Sequence, residues 1–144
     1  MASSQYTKGL QKIINGNVSL LSDDLKLVLV DVDTGYTVNL DTHEFLSDVS
    51  ASWRISTSTN LATKTVTIDT APSPDQVMFD CADGSFTSVS GVSTEAVVLF
   101  KDTGVEGTSP LIAYFDGASV ALTPNGNDVN YVISTSGLLR WARA

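Results

Sequence analysis

A chain of 144 residues is long enough to bury one core and too short to divide comfortably into two, so a single domain spanning 1–144 is expected. Sixteen acidic residues against eight basic ones leave a formal charge of −8, and no Lys/Arg run offsets it, which argues against nucleic acid as a partner. Hydrophobic residues at 42% with charged ones at 17% describe a globular chain whose polar positions are largely Ser, Thr, Asn and Gly, a mixture suited to strands and turns.

In chain order, Tyr6, Leu10, Ile13 and Ile14 recur at helical spacing, with Ser3 and Ser4 before them as candidate N-caps and Gly16 after them as a stop. This pattern predicts an N-terminal helical segment over 1–17, about three turns long. Its start lacks the sustained apolar stretch and small-residue cleavage site of a signal peptide, and Asn17-Val18-Ser19 reads as a chance sequon. The β domain is expected over 25–144, opening with "LKLVLVDV", an aliphatic and β-branched run that reads as a strand buried on both faces. Further strands are predicted at 62–70, 76–81, 95–102, 110–117, 119–123, 127–134 and 137–142. "APSPD", "ADGS", "DTGVEGTSP" and "PNGND" separate them as turns, and Asn125-Gly126 is the strongest two-residue hairpin signal. The stretch "SASWRISTSTNL" at 50–61 reads either as a strand or as an ordered loop. The expected fold class is mainly β, an antiparallel sandwich or barrel-like domain with a short N-terminal helix and a second short helix near 42–50. No run of eighteen apolar residues suggests a membrane span. Cys81, the only cysteine, sits at a strand end and reads as a small buried hydrophobe.

The stretch from Asp31 to Asp48 gathers five carboxylates and the only histidine, His43. Alternating Asp31 and Asp33 suggest a calcium loop, but that motif needs glycine at its sixth position and glutamate at its twelfth; counted from Asp31, these are Tyr36 and Thr42. No metal is therefore expected. Asp41-Thr42-His43-Glu44 instead fits a capping box before Phe45, Leu46 and Val49, with the Glu44 side chain reaching back to the start of the turn. No G-x-S-x-G, Walker-type or dinucleotide-binding motif accompanies His43, so neither catalysis nor a cofactor is expected. A hydrolase working through Asp31 or Asp33 needs only two carboxyls and survives as an alternative without a motif. Trp53, Trp141, Tyr36, Tyr114 and Tyr131 are the candidates for a sugar platform, though in a β domain of this size aromatics more often serve the core or subunit contacts.

The order "YTKGLQKIINGNVSLLSDDLKLVLVD", "YTVNLDTHEFLSDV", "VSTEAVVLFKDTG", "SPLIAYFD", a Gly/Asn turn and "VNYVISTSGLLRW" resembles a group of small virion proteins of tailed bacteriophages. "HEFLSDV" and "LFKDTG...SPLIAYFD" carry most of the likeness, which runs over nearly the whole chain. The resemblance implies a capsid decoration (cement) protein on the outer surface of the virion, or else another minor head or tail component. It implies the major capsid protein and sister copies as partners, with trimers at threefold positions. Tyr6, Leu10, Trp53 and Trp141 are the candidate contact residues, as aromatic or aliphatic side chains expected to be exposed near the termini and in the 50–61 span. A glycan-binding module of a head fibre or tail appendage, using Trp53 or the tyrosines, is the alternative from a different class.

Overall fold

The computed structural model describes residues 2–117 and 120–143. Strand β1 (Ala2–Gln5) leads into helix α1 (Thr7–Ile14), followed by β2 (Leu25–Val30), β3 (Arg54–Thr57), β4 (Thr65–Asp69), β5 (Gln76–Asp80) and β6 (Gly84–Phe86). Then come β7 (Ala96–Lys101), β8 (Leu111–Asp116), β9 (Val129–Tyr131) and β10 (Leu139–Ala142). The fold is mainly β, and all its strand pairings are antiparallel. A five-stranded sheet runs β1-β8-β7-β2-β3, a three-stranded sheet runs β10-β5-β4, and β6 pairs with β9.

The alternation in "LKLVLV" explains the layering. Leu25, Leu27 and Leu29 of β2 point to one side, where they meet Val97, Leu99, Ile112 and Phe115, and Phe79 and Leu139 of the smaller sheet. Phe86 and Tyr131 of the β6–β9 pair complete that layer, giving a sandwich-like core. Val28 and Val30 point to the other side, into a second cluster with Tyr6, Tyr36, Leu46, Val49, Val98, Phe100 and Tyr114. The central strands are thus buried on both faces because the segment from 31 to 53 covers the face that the smaller sheet does not. Each large apolar side chain enclosed this way contributes about 1.5–3 kcal/mol of burial free energy.

Long-range pairing overrides several local signals. Ser3 and Ser4 do not cap the helix; they lie in β1, opposite Phe115 and Tyr114. The helix begins at Thr7 after Tyr6, with no side-chain cap, and is two turns long. Gly16 does end it, at φ +85°. Near 42–50 no α-helix forms, only 3-10 turns at Leu46–Asp48 and Ala51–Trp53. The Leu46 amide donates to the Ser109 carbonyl and the Leu111 amide to the Glu44 carbonyl, so backbone groups that a helix would use are tied to the start of β8. "GSF", expected in a turn, is strand β6. The segments flanking Asn125-Gly126 do not form a hairpin with each other. Leu122 bridges to Thr94 and β9 pairs with β6, while the turn itself bonds to Val89. Of the predicted 119–123 strand only that bridge is seen, and Ser119 lies outside the described residues. The ambiguous 50–61 span holds β3.

Candidate functional site

Three of the five carboxylates in the acidic segment, those of Asp31, Glu44 and Asp48, have local partners. Asp31, buried at the end of β2, accepts from the Thr34 amide at 3.1 Å and the Thr34 hydroxyl at 2.7 Å, closing the turn that reverses the chain. These bonds hold its carboxyl below the ordinary range. Asp33 is exposed, and its amide and that of Val32 donate to Glu95 at 3.3 and 3.1 Å. Asp48, rather than Asp41, caps the turn, accepting from the amides of Glu44 at 2.6 Å and Phe45 at 3.0 Å. Glu44 does not reach back; it bridges Lys12 at 2.7 Å and Lys8 at 3.2 Å, fastening the segment to α1. Asp41 is exposed at the turn. Among the described residues, no three His, Cys, Asp or Glu side chains gather where they could hold a metal ion.

The histidine ends a hydrogen-bonded chain that starts in the core. Tyr6 Oη lies 2.9 Å from Tyr36 Oη, which lies 2.7 Å from His43 Nδ1. The Asn39 amide also points at Nδ1, and an amide can only donate, so Nδ1 accepts. The order is therefore Tyr6 to Tyr36 to His43. Burial pushes the Tyr36 phenol up to about 12 and the Tyr6 phenol higher still, so both remain neutral donors. The chain satisfies polar groups beneath the 31–53 cover, a role in packing. Trp53 seals it: its ring centroid is 6.5 Å from that of Tyr36, and a Cβ added at Gly35 would fall 2.3 Å from the indole.

Acid should loosen this cover. The Lys12 and Lys8 ammonium groups outweigh burial in holding Glu44 below its ordinary value. At Asp48 burial acts upward, but the Glu44 and Phe45 amides, helped by the Lys8 charge, prevail. A carboxyl depressed in the folded state contributes stability that is present above its unfolded pKa and lost as pH falls through the folded one. The urea midpoint should therefore drop between about pH 5 and pH 2, and Asp48→Asn with Glu44→Gln should flatten that drop. An unchanged acid limb in the double variant would remove these two groups from the account.

The chief exposed apolar feature lies across the molecule. Antiparallel partners share a sheet face, so Val66, Phe79 and Leu139 form one row across the smaller sheet and Ile68, Val77 and Trp141 the next. Phe79 and Leu139 are buried in the core, whereas Val66 is 43%, Val77 41% and Ile68 70% exposed. The core-facing side of this sheet therefore runs out past the sandwich. Leu10, Ile13 and Ile14 of α1 and the Leu20–Leu21 turn rise beside it, enclosing an apolar groove of about 460 Å³. Ile14 and Leu21, on its rim, are 77% and 53% exposed. Trp141 is fixed in the wall by donation from Nε1 to Gln5 Oε1 at 3.0 Å.

Two of the four candidate contact residues, Leu10 and Trp141, meet in this groove. The other two do not belong to it. Tyr6 is fully buried and so cannot present a contact surface, and Trp53 is half-buried in the opposite cluster. Leu21, Val66, Ile68 and Val77 were not singled out from the sequence, and Ile14 was read only as part of the helix's apolar face. The alternation in "TKTVTID" does place Val66 and Ile68 on one face, but a strand pattern cannot say that the face extends beyond its cover. No protein-family model matches the chain, and no curated protein matches it.

Proposed function

We propose that the chain is a structural protein of a tailed-bacteriophage virion, a capsid decoration protein that binds the outer surface of the major capsid protein shell and stabilises it. The observation that carries this reading is the apolar groove between α1 and the β10-β5-β4 sheet, a surface suited to packing against another polypeptide. The sequence resemblance supplies the setting, with trimers at threefold positions and the major capsid protein beneath them. The charge of −8 keeps the free chain soluble despite the exposed groove. Binding then contributes by enclosing Ile14, Leu21 and Val77 at a junction, with no bond made or broken. Trp53, the leading residue of the glycan-binding alternative, is half-buried against Gly35 and Tyr36, which favours the docking reading.

Particles stripped of the chain test the reading. They are expected to lose resistance to heat and osmotic shock, and to regain it when the purified chain is added back. Full resistance in the stripped particles would contradict the proposal.

A further inference from the structure

Strand β4 is a free edge of unusual character. Among the described residues it pairs with β5 alone, and Thr65, Val66, Thr67 and Ile68 are all exposed. Edges of this kind are ordinarily protected by a charge, a proline or a bulge. Here the two charges that bound the strand are turned onto their own chain: Lys64 donates to the Asp23 carbonyl, and Asp69 pairs with Arg140. The edge thus presents unpaired backbone groups beside two exposed β-branched apolar side chains.

The strand is also complementary to itself. If two copies run antiparallel about Thr67, Val66 of each lies opposite Ile68 of the other, Thr67 faces Thr67, and Thr65 meets Asp69, whose carboxylate can accept from its hydroxyl. Centring the pair on Val66 sets Ile68 against Lys64, and centring it on Ile68 sets Val66 against Thr70. Those two registers match one apolar residue with its own copy and leave the other against Lys64 or Thr70; of the three, only the one about Thr67 gives both Val66 and Ile68 an apolar partner.

We infer that β4 is a self-association edge, where a second copy of this chain adds its own β4 to give a continuous six-stranded sheet, β10-β5-β4-β4-β5-β10. In that sheet the exposed row Trp141–Val77–Ile68 continues into Val66–Phe79–Leu139 of the second copy, an apolar layer across the two-fold axis. The pairing joins copies in twos, whatever number gathers at a capsid threefold position, and does not depend on the virion reading. Because each copy carries −8, association strengthens with added salt.

Cysteine crosslinking tests the register. Native Cys81 is buried, so engineered thiols report alone. Directly opposed residues of an antiparallel pair come within the range a disulfide spans. Under a mild oxidant, Thr67→Cys is expected to yield mostly covalent dimer on a non-reducing gel, Thr65→Cys several-fold less, and Thr67→Cys combined with Ile68→Lys almost none. In sedimentation, Ile68→Lys should halve the mass of the wild-type assembly while its thermal unfolding stays that of the wild type. Equal crosslinking at Thr65→Cys and Thr67→Cys, no crosslinking at Thr67→Cys, or an assembly mass unmoved by Ile68→Lys would each overturn the inference.

Discussion

Gly9→Ala is expected to lower the unfolding free energy by about 1–3 kcal/mol, although the same change inside an exposed helix ordinarily adds about 0.5–1 kcal/mol. The reversal comes from how closely α1 sits on β8. A Cβ at Gly9 would lie 2.1 Å from the Leu111 carbonyl oxygen and 3.0 Å from the Ile112 Cα. Both are main-chain atoms of a strand buried throughout all but its last residue, so neither can swing aside as a side chain would. The helix must rise or the sheet must yield. The Tyr6 amide bond to the Ile112 carbonyl, 3.0 Å long, resists the first, and the β1 and β7 ladders on either side of β8 resist the second. Urea unfolding of Gly9→Ala beside Gln11→Ala, a change on the exposed face of the same helix, checks the sign. A stabilised Gly9→Ala would show that α1 does not rest on β8 at this depth.

The second large effect concerns the groove whose wall that helix forms. Ile14→Asp with Leu21→Asp should leave folding within about 0.5 kcal/mol of the wild type, because both side chains are exposed and neither joins the core. Under the proposed docking on the capsid shell, affinity should fall by about 30-fold or more, the consequence of losing apolar anchors worth about 2 kcal/mol in an interface. Burying two carboxylates without partners would add to the loss. Unchanged folding with impaired docking separates a contact role for these residues from a structural one.

Legibility in the sequence followed the range of the interactions. β2, β7 and β8 are continuous aliphatic runs, and β4 and β5 lie within predicted strands, so all five were readable from pattern and flanking turn residues. β1 and β6 were not, because "ASSQ" and "GSF" have little strand character of their own. They are strands because β8 and β9 offer partners. The same competition removed the helix expected near 42–50, where the bonds from Leu46 to Ser109 and from Leu111 to Glu44 outrank a local capping pattern. In the acidic segment the type of role was legible and its holder was not: a carboxylate does cap the turn, but it is Asp48, four residues along the chain from Glu44. For the groove, Leu10 and Trp141 were legible as candidates, yet their meeting depends on β10 docking beside β5 and on α1 crossing β8, both long-range facts.

Shells of the major capsid protein that lack this chain, titrated with it and pelleted, measure the central claim directly. The wild type should co-sediment and saturate at a fixed number of copies per capsid subunit, and Ile14→Asp with Leu21→Asp should stay in the supernatant at the same concentrations. A wild-type chain that never pellets with the shells, or a double variant that pellets equally well, would contradict it.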